Sequence, residues 1–175
     1  MASGRSFVLP PWIVAWMIIG GVVQVWDMFF LFLRPRTMEG GDLNAFWQPY
    51  NLYVIIDTKY GDMEDQFVRA QAVLNFFEVI LQVIVLYLHF KRSRLTVLLT
   101  FTVTCFTFWK TCVYMLQYTP LCNGASLVAH LDWLKWMGLF IIPNGIWIIV
   151  PGFVMLHLWS KLSNVLHSSG GGKDD

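Results

Sequence analysis

Charge is scarce in this chain. Asp, Glu, Lys and Arg together make up 13% of the 175 residues, whereas a soluble domain usually carries about 25%. The formal net charge is only +1, so the chain lacks the basic excess that a nucleic-acid partner would require. The scarcity of charge argues against a soluble domain and against nucleic-acid binding.

Cysteine is also sparse, and its spacing indicates neither a redox site nor a metal site. The three cysteines, Cys105, Cys112 and Cys122, form no CxxC pair, and the four histidines lack the spacing of zinc ligands. Two of the cysteines fall within an apolar run, where thiols usually pack as small hydrophobic side chains. We expect no metal and no other cofactor.

Apolar and aromatic residues are abundant instead. Hydrophobic residues make up 57% of the chain, which contains 9 Trp and 14 Phe. A transmembrane helix needs about 20 consecutive apolar residues. Four runs are long enough, at about 11–33, 70–90, 95–118 and 134–159. The sequence therefore predicts one domain, an all-α membrane protein built as a bundle of four transmembrane helices.

Basic residues predict the orientation of this bundle. Lys91, Arg92 and Arg94 lie in the short link between the second and third runs, and such links face the cytoplasm by the positive-inside rule. The flanking segments 1–10 and 160–175 would then be cytoplasmic as well. The second of these is polar and Gly-rich toward its end, and we expect it to be disordered.

Ionisable side chains interrupt the apolar runs at depths where lipid penalises them. A charge near the bilayer centre costs roughly 3 kcal/mol or more, yet Asp27, Glu78 and Lys110 lie within the first three runs. Because the first two spans run in opposite directions, Asp27 and Glu78 can come within about two helical turns of each other in depth. Two such carboxylates can supply a proton donor and a proton acceptor. Asp27 could instead lie at the interface, paired with Arg34 or Arg36.

Two of the spans carry polar stripes at helical spacing. On the second span the stripe contains Gln71, Asn75, Glu78 and Gln82; on the third it contains Thr96, Thr100, Thr104, Thr107 and Thr111. Such stripes avoid lipid by facing each other or a shared cavity, so we expect the bundle to enclose a ligand cavity. The threonines could simply join helices by hydrogen bonds, but an ionisable Glu78 is unnecessary for that. Lys110 could neutralise Glu78 or Asp27, or could contact a substrate.

The fourth run contains the stretch IPNGIWIIVPG, in which Asn144 and Trp147 lie one turn apart and a Pro-Gly pair follows. With Glu78 on the second span and Asp27 on the first, this pattern resembles the EXPERA-domain family, over most of the chain. That family contains the emopamil-binding proteins, which are sterol 8,7-isomerases, and the sigma-2 receptor proteins. The DTKY stretch at 57–60 also looks like the Asp-Ser-Arg-Tyr stretch of the isomerases.

The resemblance implies roles for four residues. Glu78 matches the acid that handles a proton at the substrate double bond, and Asp27 falls where the isomerases have a glutamate. Asn144 and Trp147 match the pair that lines the sterol cavity, where a Trp face suits a cationic intermediate. The implied catalytic residues are therefore Glu78, Asp27, Asn144 and Trp147.

The chain departs from the isomerases at one position on the first span. A histidine precedes the isomerase glutamate by one turn, but this chain has Val23 there, or Gln24 if the register shifts by one. Lys110 is a second departure, because its charge would oppose a cation unless it is neutralised. The expected substrate-binding residues are Trp109, Tyr114, Thr111, Lys110, Asn75 and Gln82.

The function that the resemblance implies is sterol, or related terpenoid, double-bond isomerisation in the endoplasmic-reticulum membrane. Protonation at one carbon and deprotonation at another would shift the double bond in a dry cavity. The alternative is a non-catalytic protein that binds sterols or cationic amphiphiles, like the sigma-2 receptor branch. Another isomerase or cyclase acting on terpenoids is a third possibility. The expected partners are a hydrophobic small molecule and the lipid bilayer, and a homodimer stays open.

Overall fold

The computed structural model describes residues 8–170. Residues 1–7 and 171–175, which hold most of the predicted N-terminal segment and the end of the predicted tail, lie outside this range. The described residues form helices and turns without a strand. The helices are α1 (Pro11–Phe32), α2 (Asn44–Ile56), α3 (Thr58–Gly61), α4 (Gln66–Phe90), α5 (Leu95–Leu116), α6 (Trp133–Lys135) and α7 (Ile142–Gly170), with a π-helical turn (Trp136–Ile141) before α7.

In the part of the chain that the structure describes, four helical stretches are long and apolar enough to cross a membrane. These are α1, α4, α5 and the continuous stretch Trp133–Asn164. Their outer faces carry large apolar side chains, among them Ile19 and Val22 on α1, each more than 60% exposed. Such side chains are suited to contact lipid. The prediction of an all-α membrane protein with four spans is confirmed.

Two spans extend beyond their predicted bounds. α4 begins at Gln66, because the carboxylate of Asp65 accepts the Val68 N–H at 2.8 Å and so caps the helix. α7 continues past the predicted end of the fourth span to Gly170. The structure is therefore helical over residues 160–170, the first part of the segment 160–175 that the sequence predicts to be disordered.

The four spans form a closed ring. α1 packs beside α4, α4 beside α5, and α5 beside α7. The ring closes where Trp16 of α1 lies against Trp147 of α7, with 5.2 Å between the ring centroids. This arrangement gives the bundle an interior to which all four spans contribute.

Two apolar clusters fill the ends of the bundle. One contains Phe30, Tyr60 and Phe140 and lies toward α2 and α3. The other contains Ile13 and Val154 and lies toward the opposite end. Buried polar side chains of α1, α4 and α5 lie between the two clusters, so the polar stripes predicted on α4 and α5 face the interior.

The connection between α1 and α4, which contains no apolar run of membrane length, is about half helical, because it holds α2 and α3. α2 is irregular, since Trp47 leaves helical geometry at φ −120° and Pro49 follows inside the helix. Because of these interruptions, and because its apolar residues do not form a run of membrane length, α2 was not predicted from the sequence. Arg34 anchors the connection, because its buried guanidinium donates to the carbonyls of Tyr60 at 2.7 Å and Asp62 at 2.9 Å.

Replacing Arg34 with Met should destabilise the fold, because two carbonyl oxygens lose charged donors. We expect Arg34→Met to lower the free energy of unfolding by about 2 to 3 kcal/mol, measured by denaturant unfolding in detergent micelles. The control is Arg36→Met, since Arg36 binds Asp42 on the surface, where both side chains are more than half exposed. Equal effects of the two substitutions would contradict this role of Arg34.

Candidate functional site

A cavity of about 300 Å³ lies among α1, α2, α4, α5 and α7. This volume is at the lower end of the range for small-molecule pockets, about 300 to 1,000 Å³. The cavity is lined by Val23, Gln24, Trp26, Asp27, Pro49, Tyr50, Tyr53, Tyr60, Gln71, Asn75, Thr107, Lys110, Thr111, Tyr114, Pro143, Asn144 and Trp147. Its wall is therefore largely aromatic and polar, although it lies between membrane-spanning helices.

Asp27 is the carboxylate in the cavity wall. Its Oδ1 atom accepts hydrogen bonds from the hydroxyls of Tyr50 at 2.8 Å and Tyr60 at 3.0 Å. Its Oδ2 atom accepts the amide of Asn75 at 3.0 Å. Neither arginine that could have held Asp27 at the interface pairs with it, because both bind other partners. Asp27 thus faces the interior, held by three neutral donors.

Glu78 lies behind the wall and does not line the cavity. It is 3% exposed, and its Oε2 atom accepts hydrogen bonds from Gln24 at 2.7 Å and Thr107 at 3.1 Å. Its Oε1 atom lies 3.1 Å from the ammonium of Lys110. Of the roles that the sequence left open for Lys110, neutralisation of Glu78 is the one that these contacts show.

A chain of hydrogen bonds links the two carboxylates. The Lys110 ammonium donates to Asn75 Oδ1 as well as binding Glu78, and the amide of Asn75 donates to Asp27. Asp27 and Glu78 are therefore connected through two intervening side chains, Asn75 and Lys110.

Gln82, expected to contact the substrate, is not among the residues that line the cavity. Its amide donates to Gln24 Oε1 at 2.9 Å.

The sequence left two positions, Val23 and Gln24, at which the histidine of the isomerases would fall. Gln24 is buried and bonded to Glu78, whereas Val23 is 39% exposed and only borders the cavity. A glutamine amide holds a carboxylate but does not exchange a proton with it near neutral pH. The contact that Gln24 makes with Glu78 is thus a positioning contact.

Asn144 and Trp147 both reach the cavity from α7. The amide of Asn144 donates to the carbonyl of Phe140, at 2.8 Å, where the π-helical turn meets α7. The ring of Trp147 packs against Trp16 and presents its remaining surface to the cavity. The structure therefore brings together three of the four implied catalytic residues, Asp27, Asn144 and Trp147, with Glu78 one layer behind them.

Trp109 does not belong to the site. It is 62% exposed on the outside of α5 and lies edge-on to Phe108. The helical period explains this, because Thr107, Thr111 and Tyr114 line the cavity and Trp109 falls on the opposite face. Trp109, expected to bind the substrate, is therefore not part of the cavity lining, whereas Thr111 and Tyr114 are.

The threonine stripe of α5 is satisfied mainly within its own helix. The hydroxyls of four of these threonines donate to the carbonyl of the residue four positions earlier, as is common for threonine inside a helix. These are Thr100, Thr104, Thr107 and Thr111. Thr107 alone among them also lies within hydrogen-bond distance of Glu78, so the stripe is chiefly packing.

Sequence reasoning missed the wall that α2 supplies. Tyr50 and Tyr53 of this helix line the cavity, and burial raises the pKa of both phenols well above their usual value, so they remain neutral donors. The spacing of Tyr50, Tyr53 and Tyr60 would place the three tyrosines on one side of a helical segment. We did not predict this wall, because no helix was predicted between the first two spans.

Asp57 forms a second buried cluster beside the cavity. Its side chain is fully buried, accepts the hydroxyls of Tyr114 and of Tyr118, the latter at 2.6 Å, and caps α3 through the N–H of Lys59 at 3.2 Å. Burial raises the pKa of the Asp57 carboxyl, and the tyrosine hydrogen bonds oppose this shift only in part. The DTKY stretch therefore ties α3 to α5.

Within the described residues, no group of three His, Cys, Asp or Glu side chains is arranged to hold a metal ion. Comparisons of the chain with protein-family models, with curated proteins and with solved structures find no match. Membership of the EXPERA-domain family stays a prediction, based on the residues named in the sequence analysis.

The raised pKa of Asp57 predicts a pH dependence of stability. Because the folded protein holds the Asp57 proton more tightly than the unfolded chain does, folding is favoured by low pH. We expect the free energy of unfolding of the wild type, relative to that of Asp57→Asn, to fall as pH rises above 3.8, the ordinary value. Denaturant unfolding in micelles from pH 3 to 8 measures this difference; a difference that rises with pH would contradict the assignment.

Proposed function

We propose that the protein is a membrane double-bond isomerase of emopamil-binding type, acting on a sterol or a related terpenoid. The observation that carries the proposal is the cavity between the spans. Asp27, Asn144 and Trp147 all line this one cavity. A hydrophobic substrate can enter such a space from the bilayer, and a carboxylate held among tyrosines is equipped to exchange a proton.

The charges around the cavity support this proposal. Asp27 and Glu78 are two acids with one base, Lys110, between them, and Lys110 is already paired with Glu78. The acid in excess is Asp27, which is at the wall. A developing carbocation would therefore meet a carboxylate and the aromatic rings of Tyr50 and Trp147, which line the same cavity.

The reaction is a redox-neutral exchange of protons. Asp27 in its acid form donates a proton to one alkene carbon, which leaves a carbocation at the neighbouring carbon. A proton then leaves the carbon on the other side of the cation, and a new double bond forms there. The departing proton goes to the Asp27 carboxylate, which returns to its acid form, while Glu78 keeps the Lys110 ammonium neutralised beside the cation. A substrate that fills the cavity would keep water from capturing the cation.

The orientation and compartment are part of the same proposal. Lys91, Arg92 and Arg94 lie between α4 and α5, which supports a cytoplasmic position for that link. Asp27 lies near the other end of α1, so the cavity would open toward the lumenal half of the endoplasmic-reticulum membrane. Both termini would then be cytoplasmic.

Turnover is tested in a yeast strain that lacks its own sterol 8,7-isomerase, with sterols analysed by mass spectrometry. We expect the chain to convert the accumulating 8-ene sterol, and Asp27→Asn and Glu78→Gln to lower conversion at least 100-fold. The first removes the proton carrier, and the second leaves the Lys110 charge unneutralised beside the cation. Phe106→Leu, on the lipid-facing side of α5, is the matched control. Persistent 8-ene sterol despite good expression would refute the isomerase proposal.

The second candidate is a non-catalytic protein that binds sterols or cationic amphiphiles. Two observations favour it: Lys110 neutralises Glu78, and neither Val23 nor Gln24, the two positions at which the resemblance expects a histidine, can exchange a proton near neutral pH. For this function, we expect an amphiphilic tertiary amine to bind in micelles about tenfold more weakly to Asp27→Asn, because the carboxylate partner is lost. Amine binding without sterol conversion would establish this second function; unchanged amine binding in the variant would exclude Asp27 as its anchor.

A further inference from the structure

Lys110 is the most unusual side chain of the cavity wall. It lies six residues before the end of α5 at Leu116, or roughly 9 Å along the helix, and its side chain is 11% exposed. A buried ion pair contributes little net stability compared with apolar residues of similar volume. The Lys110–Glu78 pair is therefore weakly explained by folding alone.

The pair has a definite direction relative to the cavity. Lys110 lines the cavity, whereas Glu78 lies behind it among Gln24 and Thr107. Lys110 is thus the member of the pair that lines the ligand space, and Glu78 lies toward the packed interior between α1, α4 and α5. A dipole in this orientation favours an electron-rich atom of a ligand.

The ammonium also has more donors than protein partners. An ammonium carries three N–H donors, and those of Lys110 bind Glu78 Oε1 and Asn75 Oδ1. Among the described residues the ammonium has these two partners, so one donor can serve a ligand in the cavity that Lys110 lines. In an apolar medium a charged donor gains most from an oxygen acceptor, because water cannot take its place cheaply.

Asn75 sets a second polar group beside this donor. Its amide bridges Lys110 and Asp27, so the wall offers a cationic donor and a carboxylate acceptor separated by one side chain. Pro143, Trp147 and Tyr53 provide apolar and aromatic surface across the rest of the cavity. The site fits a rigid hydrophobic molecule that carries a single oxygen at one end.

We propose that Lys110 determines the specificity of this cavity by donating a hydrogen bond to an oxygen atom of the ligand. The ligand is thereby a polycyclic or terpenoid ketone or alcohol, bound with its oxygen about 9 Å below the end of α5 and not at the membrane surface. This inference rests on the proposed function, since it names the ligand class of the same cavity.

The test compares 5α-cholestan-3-one with 5α-cholestane, which has the same rings and side chain without the oxygen. Binding is measured by tryptophan fluorescence on the full chain in detergent micelles. We expect the wild type to bind the ketone about ten- to a hundredfold more tightly than the hydrocarbon. In the double variant Lys110→Met/Glu78→Gln the ratio should fall to about one, because Met keeps the volume without the donor and Gln leaves no unpaired carboxylate.

Retained binding of the hydrocarbon shows that the double variant is folded. If the ketone preference persists in this variant, or if the wild type shows no preference, the role of Lys110 is refuted while sterol binding and the proposed function stand. If neither steroid binds the wild type, the proposed function fails and the specificity assignment fails with it. Lys110→Arg, which keeps a charged donor, should retain part of the preference.

Discussion

The buried ion pair between Lys110 and Glu78 is the interaction on which the centre of the molecule depends. Without Lys110, Glu78 would be an unpaired carboxylate inside a membrane-spanning bundle, which costs several kcal/mol. The pair lets α4 and α5 pack closely over a polar layer. Gln24 and Thr107 satisfy the second oxygen of Glu78, so α1 joins the same network.

The two carboxylates differ because of their surroundings. Glu78 is matched by a full positive charge and is screened from the cavity, whereas Asp27 is held by the neutral hydroxyls of Tyr50 and Tyr60 and the amide of Asn75. A group held by neutral donors can change its protonation state without leaving an unpaired opposite charge. The structure therefore separates a fixed charge from an exchangeable one within one hydrogen-bonded chain.

Much of this arrangement could be predicted from the sequence, because polar side chains on apolar helices must face the interior of the bundle to avoid lipid. The length of the four runs gave the spans, and helical spacing placed Asn75, Glu78 and Thr107 in the interior. Spacing alone could not show depth within that interior, so Glu78 was expected at the cavity wall and lies behind it. The aromatic character of Trp109 suggested a ligand contact, but its position on the helix directs it outward.

α2 has a consequence for how this protein can change over evolutionary time. It supplies Tyr50 and Tyr53 to the cavity from a short irregular helix that belongs to none of the four long spans. Substitutions at Tyr53 can alter the shape of the ligand space while the Lys110–Glu78 pair, to which α2 contributes no contact, stays in place. Ligand preference can therefore diverge among descendants of this chain while insertion in the membrane and the ion pair at its centre are conserved.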